Sequence, residues 1–265
     1  MPLSPYSRLL ASRALVRALA GRELVARYRG GALGFLWALI NPLLLLLVYA
    51  TVFRFVFAPR ADVRPYALFL FAGVLAWAFV SGSLQDAAET FRANGPLLRK
   101  TTVPPEVFPA SAVLARLVHL LLALVVLVAA TAVGAARGSV TPGLAALEFP
   151  LVLALLAATV LGLALAVGAL SVHFADVRDI VANLLTLAFF VTPILYPVAS
   201  VPERWRSLMR LNPFATFFSA IQDTAFFFRP VALADWLWMA GTAAVALGGG
   251  GAVYELLRDS LAEQA

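Results

Sequence analysis

Residues Ala110 to Val133 read ASAVLARLVHLLLALVVLVAATAV, an apolar run interrupted only by Arg116 and His119. A helix of this length covers the ~30 Å hydrocarbon core of a bilayer. Working outward, five more segments have comparable character: roughly Leu33–Phe57 and Pro65–Leu84 before it, and Phe149–Val172, Ile180–Tyr196 and Trp236–Leu257 after it. The fifth of the six is only just long enough. Of the 265 residues, 62% are hydrophobic and 13% charged, and the mean hydropathy is +0.92. A soluble domain cannot hide that much apolar surface, so the sequence predicts an all-α polytopic membrane protein with six transmembrane helices. It reads as one domain over residues 1–265, with 1–30 as an interface helix on the cytoplasmic face and 31–265 as the membrane domain.

Charge sets the expected orientation. Six spans put both termini on one side. That side would carry the arginines from Arg8 to Arg29, then Arg92, Arg99, Lys100, Arg178 and Arg258, eleven cations against eight on the other. The excess is densest at the N-terminus, so both termini are expected in the cytoplasm. The net charge of +6 then reads as a topology and lipid-headgroup signal rather than a nucleic-acid footprint. The arginine-studded N-terminus does not read as a cleavable signal peptide. It reads as a helix lying on the membrane: Leu9, Val16 and Leu19 share a face, Arg13 and Arg17 flank it, and Leu10 and Leu15 point elsewhere. Gly21 and Gly30-Gly31 are the expected breaks before the chain turns into span one, where Trp37 suits an interfacial depth and Pro42 predicts a kink.

Several chemistries are excluded. There is no cysteine, and His119 and His173 are too far apart in sequence to suggest a metal site. The only lysine, Lys100, follows Arg99 where a phosphate-binding P-loop needs glycine. No carboxylate lies deep in a span, where a proton- or sodium-coupled carrier keeps one. Asp176 and Asp179 form a D-x-x-D that reads as a solvated turn and helix cap. Arg116 and His119 share a helical face and are expected to contact neighbouring helices. The chain therefore admits or moves something without a visible energy source of its own.

Two loops stand out. Phe91–Pro109, FRANGPLLRKTTVPPEVFP, holds a short helix-capable segment at Leu97–Thr101. It reads equally as a plain basic loop or as a docking helix for a cytoplasmic partner. Pro197–Asp235 holds VPERWRSLMRLNP, a short amphipathic helix from Pro202 to Asn212-Pro213, then FATFFSAIQDTAFFF, which is aromatic and short for a span. A re-entrant helix pair is the expectation there, with a seventh span as the competing reading.

These motifs carry a family resemblance. RELVARYRGGALGFLWALINPLLLLLVYATVF, NGPLLRKTTVPPEVFP, VHFADVRD and VTPILYPVASVPERWRSLMRLNPF resemble, in order and over nearly the whole chain, the membrane subunit of bacterial polysaccharide ABC exporters. That family exports O-antigen, capsular polysaccharide and teichoic acid. The resemblance implies a homodimer of six-span permeases in the bacterial inner membrane, working with two separate ATP-binding-cassette subunits that bind ATP and Mg²⁺. No cofactor or metal is expected in this chain itself, and no enzymatic activity. The expected cargo is a polyprenyl-pyrophosphate-linked polysaccharide.

By position, Leu97, Leu98, Arg99 and Lys100 fall where the family's coupling helix docks on the ATPase. The segment from about Pro202 to Phe228 resembles its gate helices, including Glu203, Trp205, Arg206 and Asn212. Arg22, Arg27 and Arg29 are candidates for the lipid headgroup. Phe35, Trp37, Phe189, Phe190 and Tyr196 are candidates for an aromatic channel lining. Gly95-Pro96 is stiffer than the family pattern at the start of the coupling loop. A drug or lipid exporter of the same fold and a membrane-embedded transferase on polyprenyl-linked sugars are the competing functions.

Overall fold

The computed structural model describes residues 4–28, 33–55, 65–100, 103–209 and 211–264. Among these, every regular element is helical. Helix α1 (Pro5–Ala11) starts at Ser4, whose Oγ accepts from the Ser7 amide, with Pro5 at the position where a missing N–H costs nothing. The chain bends at Ser12 and continues as α2 (Arg13–Tyr28). Gly21 was an expected break, but α2 runs through it: one glycine costs a helix only about 1 kcal/mol, and packing of Leu19 and Ala20 offsets that. Gly30-Gly31 lie outside the described residues.

After a 3-10 turn at Gly34–Leu36 comes α3 (Trp37–Phe55), which stays helical through Pro42. Then follow α4 (Tyr66–Ala93), the short α5 (Gly95–Lys100), α6 (Val107–Ala136), α7 (Phe149–His173) and α8 (Val177–Val191). The last elements are α9 (Glu203–Met209), α10 (Pro213–Gln222) with a π-helical turn at Asp223–Phe227, and α11 (Leu233–Gln264).

Among the described residues, four segments are long and apolar enough to cross a bilayer: α4, α6, α7 with the turn before it, and α11. Helix α3 supplies a shorter apolar stretch, Trp37–Val52. Helix α8 has 15 residues, below the ~20 a full crossing needs, because Thr192-Pro193 ends it. The sequence-predicted second span also stopped too early. Helix α4 continues past Leu84 to Ala93, so part of the expected loop is helix carrying Asp86, Glu89 and Arg92. The segment from Pro213 to Phe227 ends at Phe228 in a left-handed conformation (φ 52°), and is too short for a seventh span.

Helix α4 is the hub. Phe69, Phe71, Val80, Ala87 and Phe91 along it have no solvent exposure, and α3, α6, α7, α8 and α10 all pack on it. The closest helix pair is α7 with α11. A Cβ at Gly162 would lie 2.3 Å from the Ala246 carbonyl oxygen, and one at Gly250 would lie 1.9 Å from the Gly162 oxygen. Only hydrogen fits at either place. Lipid provides no hydrophobic drive between helices, so contact of this kind is what holds two spans together. One end of the bundle, its base, gathers α1, α2, α5, the starts of α6 and α8, and the ends of α4, α7 and α11. The other end carries α9, α10 and the π turn.

Candidate functional site

The base is built on one apolar cluster. Leu98 of α5 is buried among Leu19 of α2, Phe91 of α4, Val107 and Phe108 of α6, Leu165 and Ala169 of α7, and Tyr254 and Leu261 of α11. Proline suits the second position of α5, since the N–H it lacks would have had no helical partner there. The stiff Gly95-Pro96 pair thus opens the short helix. A six-residue helix is not stable alone, so Leu98 in this cluster is what fixes it.

Polar ties hold the N-terminal helices to the same base. Arg8 donates to Glu106 through Nε and to Glu255 through Nη2. Glu106 is wholly buried and also accepts from the Tyr254 hydroxyl at 2.7 Å. One guanidinium thereby joins α1, the foot of α6 and α11, and the buried carboxylate has both its oxygens satisfied. A second tie lies one level away. Arg116 of α6 grips Asp86 of α4 with two bonds, 2.5 Å from Nε and 2.8 Å from Nη2, and Arg27 of α2 reaches the same carboxylate at 3.1 Å. The Arg116 guanidinium lies across Gly82, where a Cβ would be 2.6 Å from Cζ. Glu23 of α2 accepts from Ser111 Oγ at 2.9 Å. Burial is the main cause pushing the Glu23 carboxyl above its ordinary range, with the Ser111 bond opposing it. Arg22 donates to Asn94 Oδ1 at 2.8 Å, beside the start of α5.

At the far end, the chain leaves α8 through the elbow Thr192-Pro193-Ile194-Leu195. Thr192 and Ile194 have no exposure, and a Cβ at Gly73 of α4 would be 2.9 Å from the Ile194 carbonyl oxygen. Asn212 caps α10 by accepting from the Phe214 amide at 3.0 Å, while its Nδ2 donates to Thr192 Oγ1 at 2.9 Å. Gln222 donates to the Pro193 carbonyl and Tyr66 to that of Leu195. Phe214 and Phe218 pack on Trp77, which also meets Phe189. Helix α10 is thus fastened at both ends to the elbow and along its side to α4. Helix α9 is more loosely held: Arg206 donates to the carbonyls of Val201 and Ala199, and Glu203 and Trp205 are exposed.

The profile of the ABC-2 type transporter family matches residues 14–226, a stretch running from α2 to the π turn. The chain belongs to this family. As an ABC-2 transporter it is a membrane component of a transport system rather than an enzyme. An O-antigen export system permease protein RfbA of Myxococcus xanthus is 35% identical over 253 residues, covering 95% of each chain. A protein of the same name from Klebsiella pneumoniae is 29% identical over 203 residues and 76% of each chain. The polysialic acid transport protein KpsM of Escherichia coli is 26% identical over 203 residues, 75% of this chain and 76% of its own.

The sequence-selected residues of this ABC-2 transporter fall into groups. Leu97 and Leu98 meet the base cluster, while the side chains of Arg99 and Lys100 lie outside the described residues. Arg22 and Arg27 both bond to side chains of this chain, and Arg29 lies outside the described residues. The Phe35 side chain is likewise outside them. Trp37 is half-buried at the start of α3, Phe189 packs on Trp77 and Phe190, Phe190 is exposed, and the Tyr196 hydroxyl donates to the Phe190 carbonyl. Asp176 and Asp179 stand exposed at the start of α8. Sequence reasoning missed Arg8, Asp86 and Glu106. The signal for Glu106 was present: an acid after Pro104-Pro105, directly at the foot of a long apolar run.

Proposed function

We propose that this chain is the permease subunit of an ATP-driven exporter of a polyprenyl-pyrophosphate-linked polysaccharide. It works as a homodimer of six-span subunits in the bacterial inner membrane, with both termini cytoplasmic. Two separate ATP-binding-cassette subunits hold ATP and Mg²⁺. The observation that carries this reading is the setting of α5. Leu98 shares one buried cluster with residues of α2, α6 and α11. A push on α5 from a docked ATPase therefore reaches the interface helix and the feet of two spans together. Leu97, Leu98, Arg99 and Lys100 are the coupling residues in this account.

The remaining roles follow from chemistry. Two guanidiniums, Arg27 and Arg116, share the carboxylate of Asp86, and burial pushes the neighbouring Glu23 carboxyl up toward its neutral form, leaving excess positive charge near the cytoplasmic face. Arg22, Arg27 and Arg29 would draw an anionic pyrophosphate there. Helices α9 and α10, with Glu203, Trp205, Arg206 and Asn212, form the outer gate. Phe35, Trp37, Phe189, Phe190 and Tyr196 line the path, because sugar rings slide over aromatic faces without deep polar traps. The exposed apolar stripes Leu43, Leu44, Leu47 and Val48 on α3 and Ile180, Leu184, Leu187 and Phe190 on α8 suit a second copy of the chain. The names of the relatives and their coverage of this chain support the cargo class.

The test is charge reversal in the coupling helix. Arg99→Glu with Lys100→Glu should leave the permease folded but uncouple ATP hydrolysis from polysaccharide export, or release the ATPase. Export at the wild-type level with the ATPase still coupled would remove α5 from this role. Replacing Arg22, Arg27 and Arg29 together by glutamine should abolish export while the ATPase still co-purifies.

A further inference from the structure

Where α1 bends at Ser12 into α2, the helix pair and the spans it packs on leave a groove of about 780 Å³ between them. Its walls are apolar, with Leu9 from α1, Leu114 from α6, Ala158 from α7 and Leu247 from α11. At its rim stand Arg13 and Arg17, one turn apart on α2 and both exposed. Neither forms an ion pair among the described residues, whereas Arg8 and Arg27 on the same helix pair do. Among the described residues, none that lines the groove is acidic. No residue of α3 or α8 lines it either, so it lies apart from the stripes assigned above to the second copy.

We propose that this groove binds one anionic phospholipid of the surrounding bilayer. An acyl chain lies between the helix pair and the spans, and the phosphate meets Arg13 and Arg17. The walls call for hydrocarbon: the one hydroxyl on them, that of Tyr6, is already bonded to the Leu247 carbonyl, and the rest offer water few polar partners. Two guanidiniums with no carboxylate partner among the described residues, Arg17 bonding only the Arg13 carbonyl through Nε at 3.3 Å, stand at the mouth of an apolar slot and select a negatively charged headgroup. Each basic side chain close to anionic lipid is worth about fivefold in binding, so the pair gives roughly thirtyfold preference over a zwitterionic lipid. The occupant is a resident lipid that wedges the interface helix, not the cargo, and the proposal holds whatever the exporter carries.

The full-length chain is reconstituted in phosphatidylethanolamine with a minor fraction of phosphatidylglycerol, then released into mild detergent, and native mass spectrometry counts the lipids retained. One phosphatidylglycerol per chain should remain, well above its share of the mixture. Arg13→Gln with Arg17→Gln should cut that preference roughly thirtyfold, and Arg13→Lys with Arg17→Lys should keep most of it. Ala158→Trp fills the groove with both arginines intact and should also lose the lipid. Should that variant fail to fold, Leu114→Trp on the facing wall gives the same reading. The proposal is overturned by wild type showing no preference, by the groove-filled variant retaining phosphatidylglycerol, or by a polyprenyl lipid as the retained mass.

Discussion

Removing the Glu106 carboxylate should loosen the base of the bundle more than any other single polar change there. Glu106 has no exposure and meets both Arg8 and the buried Tyr254 hydroxyl. Deleting one partner of a buried ion pair costs about 3–5 kcal/mol. Arg8 keeps Glu255, whose side chain is 34% exposed, so the ionic loss sits near the lower limit, about 3 kcal/mol. The orphaned Tyr254 hydroxyl adds about 1 kcal/mol or more. Glu106→Ala should therefore cost about 4 kcal/mol, which at roughly 2 °C per kcal/mol or more lowers the melting midpoint by about 8 °C. Glu106→Gln keeps an acceptor for Tyr254 and loses only the charge, so it should fall near half that. The assay is thermal denaturation of the detergent-purified chain, with limited trypsin digestion beside it. Release of α1, through Arg8, from the foot of α6 should speed cleavage at Arg8 and Arg13. A Glu106→Ala variant that melts with wild type and resists trypsin equally would refute the reasoning.

Other changes test other contacts. Gly162→Ala drives a methyl into the Ala246 backbone, which cannot yield without parting α7 from α11. It should cost about 3 kcal/mol or more, read as a lower midpoint or loss of folded protein. Gly82→Ala should displace the Arg116 guanidinium from Asp86 at a cost of about 1–2 kcal/mol, and should add little in an Asp86→Asn background. Asn212→Ala loses both the α10 cap and the bond to Thr192, about 1–2 kcal/mol, and should raise hydrogen exchange in α10. Because burial raises the Glu23 carboxyl, the folded chain holds that proton more tightly than the unfolded chain. Stability should then be highest below the ordinary carboxylate range and decline as pH climbs from there through the raised value. Glu23→Gln should flatten this decline in a pH series of melting curves without lowering the midpoint at neutral pH.

Much of the architecture was legible because a span is a local property. The runs around Val126, Leu156 and Phe71 need only length and hydropathy to be recognised. The base was harder to read. Leu98 fell in a helix-capable stretch that read equally as basic loop or docking helix, since so short a segment has no periodicity to measure, and its burial depends on Leu19 and Leu261, far away in sequence. Arg8 and Glu106 could not be paired from spacing, because the bond crosses from the N-terminal helix to the foot of α6. Gly21 misled in the opposite direction: its local tendency to break a helix lost to the packing of its neighbours. Asn212-Pro213 read as the end of the helix before it; that Asn212 also caps α10 and bonds to Thr192 needed the elbow in three dimensions.

The central claim is that this chain is half of a machine whose engine is another protein. It is tested most directly by purifying the tagged chain from its native membrane in mild detergent and identifying what accompanies it by mass spectrometry. A P-loop ATPase in equal amount, lost on charge reversal at Arg99 and Lys100, is the expected result. A chain that emerges alone, as a stable monomer with no ATPase, would contradict the account.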